Sequence, residues 1–191
     1  QESKTPIADT MAALEKLRKQ GKIRAIGVSN ATPEQMDEYR RVGVVDVDQE
    51  KYSLLDRGRE PTNLAYCKKH KIAFLAYSPL ELGLLTGKVG PDRTFDATDQ
   101  RSRNPRFSVE SRQQVAAMLA AMQPVADAHQ ASLAQVVIAW TLEQPGCSHT
   151  LVGARNPAQA LENAKAGDVK LTAAELKQVI AALKTHEAAA K

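Results

Sequence analysis

At 191 residues the chain can bury one sizeable core, and with 43% hydrophobic and 25% charged residues it reads as one globular domain rather than a disordered or fibrous chain. Its formal net charge of +4 comes from scattered Lys and Arg, and the densest basic stretch, Cys67-Lys68-Lys69-His70-Lys71, is short and sits where a helix should end, so no nucleic-acid partner is expected. Two distant cysteines, Cys67 and Cys147, argue against a disulfide framework or structural zinc, and no long apolar run or signal-like start points to a membrane, so a reduced, cytoplasmic protein is expected.

Thr5-Pro6 offers an N-cap and a proline at the first helical position, and Ile7, Met11, Leu14 and Leu17 recur on one face until Gly21. Residues 23–28 (IRAIGV) form an apolar run closed by Ser29-Asn30, the pattern of a buried strand ending at a loop. Thr32-Pro33 opens a helix to about Val42, with Gln35 in capping-box register, and a strand is expected over residues 44–49. A helix over residues 61–70 and a strand over residues 72–77 (IAFLAY) continue the alternation. Residues 78–107 then carry Gly83, Gly87, Gly90, Pro91 and Pro105, with arginine and aspartate crowded after Pro91, and read as a long, mobile polar loop. Beyond it come a helix over residues 109–129 with a kink expected at Pro124, and a second over residues 133–143 that buries Val136, Val137 and Trp140. A last strand over residues 150–152 leads to Gly153-Ala154-Arg155-Asn156, a short helix, and a closing helix capped by Thr172 with Glu175.

Four strand-to-helix units in sequence predict an α/β fold with a parallel sheet wrapped by helices. A closed eight-stranded barrel takes about 250 residues, so four strands amount to roughly half of one. An open doubly wound sheet, a barrel half with a complementary half elsewhere, and two copies closing on each other all satisfy the pattern.

In such folds the site forms at the carboxyl ends of the strands, where apolar runs give way to polar residues. Ser29 and Asn30 end the first strand, Gln49 the second, Tyr77 and Ser78 the third, and Gly153 with Arg155 follow the fourth. Amides and hydroxyls suit recognition of a carboxamide or sugar, and a tyrosine ring suits stacking on a flat heteroaromatic ring. A guanidinium just ahead of a helix start suits a phosphate monoester. Each residue alone also reads as a turn, a cap, core packing or surface; their occurrence at consecutive strand ends is what those readings do not require.

In this setting GKIRAIGVSN (21–30), QEKYSLLDR (49–57), AYSPLELGLLTGK (76–88) and LVGARNPAQALEN (151–163) resemble, in order and spacing, segments of the aldo-keto reductases, closest to the branch of bacterial stress-related reductases and potassium-channel beta subunits. The resemblance implies a TIM (β/α)8 barrel of which residues 1–191 supply strands 5–8, with 78–107 as a loop covering the cofactor. It implies NADP(H) bound without a Rossmann fold, in keeping with the lack of a GxGxxG motif. By position, Ser29, Asn30 and Gln49 would hold the nicotinamide carboxamide and Tyr77 would stack on the ring. Ser78, Leu80, Gly83 and Leu85 would line the pyrophosphate, Arg155 would pair with the 2′-phosphate, and Gly153 beside it would belong to the cofactor site. Gln159, Glu162 and Asn163 would face the adenosine end.

The family's catalytic Asp, Tyr, Lys and His belong to the first four strands, and none can be assigned here; Tyr52, Tyr66 and Tyr77 occupy other motif positions. The expected activity is NADPH-dependent reduction of a small aldehyde or ketone, with this chain supplying cofactor binding and either the other barrel half or a second copy completing it. The competing expectation is a non-catalytic half-barrel or a cofactor-sensing subunit that self-associates.

Overall fold

The computed structural model describes residues 5–189; Gln1 to Lys4, read above for a leader, lie outside the described residues. Four parallel strands, β1 (Gly27–Ser29), β2 (Val47–Lys51), β3 (Ala73–Tyr77) and β4 (Cys147–Leu151), form one sheet in sequential order. Around them run α1 (Ile7–Lys19), α2 (Pro33–Val42), α3 (Ala65–His70), α4 (Val109–Ala128), α5 (Leu133–Leu142), α6 (Pro157–Lys165) and α7 (Ala173–Ala189). The strand-helix alternation is therefore the one the sequence predicts.

Local chemistry sets most helix starts. In α2 the Thr32 hydroxyl accepts from the Gln35 amide while Gln35 Oε1 accepts from the Thr32 amide, and Pro33 occupies the first turn. Ser132 and Gln135 make the same reciprocal pair at α5, and Thr172 with Glu175 at α7. Each such cap is worth about 1 kcal/mol. At α1 the cap position falls on Pro6 rather than Thr5, with no side-chain cap bond.

Boundaries differ from expectation where apolarity and pairing diverge. Strand β1 is confined to Gly27–Ser29 although apolar residues begin at Ile23, because pairing starts only where β2 runs alongside, Gly27 opposite Val47. That contact also explains the glycine: a Cβ on Gly27 would fall 2.4 Å from Val47 Cγ1. Strand β2 runs on through Glu50 and Lys51, charged residues that the sequence places beyond its end, and β4 begins at Cys147 rather than Thr150. The helix expected over 61–70 begins with a π-helical turn, Glu60–Leu64, before α3. Helix α4 runs unbroken past Pro124, whose neighbours Met122, Val125 and Ala126 are buried in the core.

Burial alternates along β2 and β3. Asp48, Glu50, Phe74 and Ala76 are buried on the helix side; Val47, Gln49, Lys51, Leu75 and Tyr77 lie on the other face and are only half-buried. The core lies between sheet and helices, where Tyr52 stacks on Trp140 (centroids 6.2 Å) and meets Phe74 edge-on (6.1 Å). Val115, Leu119, Met122, Val179 and Leu183 complete it.

The stretch read as a mobile loop is anchored. It forms short 3-10 turns at Glu81–Thr86, Gln100–Arg103 and Pro105–Phe107, and buries Leu84, Leu85 and Phe107. Arg112 of α4, 5% exposed, donates to the carbonyls of Phe107 (2.9 Å), Gly90 (2.7 Å) and Arg93 (2.6 Å), drawing the loop onto the helix.

Candidate functional site

Two groups of residues meet at the carboxyl ends of the strands. The first is a short hydrogen-bonded chain on the half-buried face: Tyr77 Oη donates to Asn30 Oδ1 (2.9 Å), and Asn30 Nδ2 donates to Ser29 Oγ (3.0 Å). Register brings them together, since Ser29 is opposite Gln49 and Tyr77 opposite Lys51, and the Asn30 amide donates to the Gln49 carbonyl (3.1 Å). Asn30 takes a left-handed backbone, φ 54°, which an asparagine tolerates better than most residues. The chain thus leaves β1 at a sharp angle and presents its amide beside the Tyr77 ring.

The second group lines a cavity of about 640 Å3 that starts at Ser78 and passes under the 78–107 segment to α6. Ser78, Leu80, Gly83, Gly153, Arg155, Gln159, Glu162 and Asn163 all line it. Positive φ at Ser78, Glu81, Leu82 and Gly83 curls the backbone at one end into the kind of concave turn that favours anions. At the other end Asn156 caps α6 by accepting from the Gln159 amide (2.9 Å), Gln159 Oε1 accepts from the Arg155 amide (2.8 Å), and Asn163 Nδ2 donates to the Gly153 carbonyl (3.2 Å). Gln159 and Asn163 therefore shape the rim of the cavity through backbone groups as well as lining it.

Leu85 does not join the others. Leu85, expected at the pyrophosphate, has its side chain fully buried among core residues, and its amide donates to the Leu80 carbonyl (3.2 Å), which holds the turn in place.

Sequence reasoning passed over Lys88, Arg93, Asp99 and Arg101, which also line the cavity. Their signal was the crowding of charge after Pro91, which names no partner until the loop folds back. Arg101 grips Asp99 through two nitrogens and holds its carboxyl down to about 2. Lys88 Nζ reaches Glu162 (3.1 Å), tying the loop to α6; hydrogen bonding from Ser132 and then Lys88 keeps Glu162 below the usual carboxylate range. Two of the four cations are thereby neutralised. Among the described residues no ion pair engages Arg93 or Arg155, so the cavity keeps an excess of positive charge and suits an elongated anion.

Residues 1–184 match the aldo/keto reductase family. The chain belongs to that family. It is 38% identical over 171 residues to the NADH-specific methylglyoxal reductase of Escherichia coli (strain K12), covering 90% of this chain and 52% of that protein. It is 37% identical over 155 residues to the aldo-keto reductase YhdN of Bacillus subtilis (strain 168), covering 81% and 47%. The glycerol dehydrogenase AKR11B4 from Gluconobacter oxydans superposes with a TM-score of 0.91 at 36% identity, over 97% of this chain and 57% of that one. The chain thus spans about half the length of the relatives it matches. No helix among the described residues is long and apolar enough to cross a membrane.

Proposed function

We propose that this chain is the cofactor-binding part, strands 5–8, of a cytoplasmic NADPH-dependent aldo-keto reductase that reduces small aldehydes or ketones to alcohols. The observation that carries the reading is the succession of the two groups along the strand ends: an amide, hydroxyl and phenol at Asn30, Ser29 and Tyr77, and then, from Ser78 onward, a cavity whose lining includes Arg93 and Arg155, guanidinium groups that no ion pair engages among the described residues. That order of chemistry matches the order of carboxamide, flat ring, pyrophosphate and phosphate in the dinucleotide.

When bound, the reduced nicotinamide supplies a hydride to the carbonyl carbon, and a proton from a donor outside the residues assigned here goes to the oxygen. Tyr77 offers a half-buried ring to stack against, and Asn30 and Gln49 orient a carboxamide so that one face of the ring meets the substrate. The curled turn at residues 78–83 lies where backbone amides can meet phosphate oxygens. Arg155 supports a choice of NADPH over NADH by offering a two-nitrogen grip on a phosphate monoester.

The test is nucleotide affinity in the full-length protein. Arg155→Ala should weaken NADPH binding by about tenfold to a hundredfold, the loss of about 1.5–3 kcal/mol from charge-assisted bonds, and leave NADH nearly unchanged. An unchanged preference removes the phosphate role from Arg155; a wild type that prefers NADH, as the name of the E. coli relative states for that protein, replaces NADPH with NADH in the proposal.

A further inference from the structure

Behind the strand ends, on the helix side of the sheet, two carboxyl groups are buried with no exposure at all: Asp48 and Glu50, two residues apart on β2 and so on one face. Burying two like charges costs far more than a surface carboxylate can return; Asp48 Oδ1 has no hydrogen-bond donor, and Glu50 Oε2 has only the ion pair with Arg59 Nε. Side by side on β2, the two carboxyls can share one proton, held by Glu50 and donated to Asp48, which removes the repulsion between them.

Their remaining oxygens close a ring around one residue. Glu50 Oε1 accepts from the Ala31 amide (2.9 Å). Asn63, buried on the π-helical turn, donates through Nδ2 both to the Ala31 carbonyl (2.7 Å) and to Asp48 Oδ2 (2.8 Å). Ala31 is 2% exposed and follows Asn30 directly. Both backbone groups of Ala31 are thereby gripped from the helix side, while the Asn30 amide is tied to Gln49 on the sheet side.

We propose that Asp48, Glu50 and Asn63 are positioning residues: their ring fixes the left-handed turn at Asn30 and so the pose of the amide that meets the nicotinamide end of the cofactor. This rests on the reading of Asn30 given above. The ring touches no part of the cavity under the 78–107 segment, so its effect is confined to one end of the dinucleotide. It is also protonation-dependent. Burial first, and then the Asp48 charge, push Glu50 up to about 7, and burial raises Asp48 as well. The other titratable or charged groups facing the pair are Arg59, whose Nε lies 3.0 Å from Glu50 Oε2, and the Cys67 thiol, 3.7 Å from Asp48 Oδ2 and pushed up to about 12. Arg59 and the Ala31 amide favour the charged form of Glu50 and Cys67 stays neutral; deprotonation sets two buried carboxylates against each other and so strains the ring around Ala31.

The experiment uses the full-length protein and matched probes that differ only in the nicotinamide: NADH against ADP-ribose, and NADPH against 2′-phospho-ADP-ribose. In the wild type the ratio of the two affinities should fall by about fivefold between pH 6 and 8.5. Glu50→Gln, which reproduces the protonated carboxyl at every pH, should match the wild type at pH 6 and abolish the slope. Asn63→Ala should weaken the nicotinamide-bearing probes by about tenfold and spare their truncated partners. If Glu50→Gln keeps the wild-type slope, or Asn63→Ala weakens all four probes equally, the ring does not position the amide. Failure of the parent reading looks different: the wild type then binds NADH and NADPH no better than the truncated probes at any pH.

Discussion

Replacing Arg112 with Met tests how the segment over the cavity is held. The side chain is 5% exposed, places its guanidinium over the Phe95 ring (5.5 Å) and donates to three carbonyls of the 90–107 stretch. Hydrogen bonds from a charged group contribute about 1.5–3 kcal/mol each, but the three are not additive, because once the loop lifts its carbonyls regain water. The loss saturates at the free energy of opening the loop, about 3 kcal/mol, so a segment closed in nearly all molecules would be open in about half. Amide hydrogen exchange should then show protection lost across residues 90–107 while the strands stay protected. Nucleotide affinity, which scales with the closed fraction, should fall only about twofold. Exchange unchanged across 90–107 in Arg112→Met would refute the claim that this one residue holds the loop.

Other outcomes follow from single contacts. Tyr77→Phe removes one half-exposed hydrogen bond to Asn30 but keeps the ring, and should weaken NADPH binding about threefold to fivefold by fluorescence titration without moving Tm. Gly27→Ala should lower Tm by several degrees, the result of about 2 kcal/mol of steric conflict with Val47 Cγ1, and Val47→Ala in the same chain should recover part of it. Glu50 has a folded-state pKa raised to about 7 from an ordinary 4.5, so the folded state binds the extra proton. Its contribution to stability is whole below pH 4.5 and falls as pH rises toward 7; Tm measured from pH 5 to 8 should decline, and Glu50→Gln should flatten that decline.

Much of this molecule is local in origin. The capping boxes Thr32-Gln35 and Thr172-Glu175 and the apolar runs ending at Ser29 and Tyr77 act between residues close in sequence. Chain order alone therefore shows strand-helix units and the polar residues at strand ends, including Asn30, Tyr77 and Arg155. What the order cannot show is which distant groups meet. Asp48 and Glu50 sit two apart in a strand and look like its solvent face; Asn63, the Ala31 amide and Arg59 are the partners they meet on the buried one. Likewise Leu85 goes to the core, and Lys88 finds Glu162 74 residues away, because the Arg112 guanidinium draws the loop back over α4. Short-range hydrogen bonds and periodicity are properties of the sequence by itself, whereas burial of charge is settled by long-range partners, and those exist only once the chain has folded.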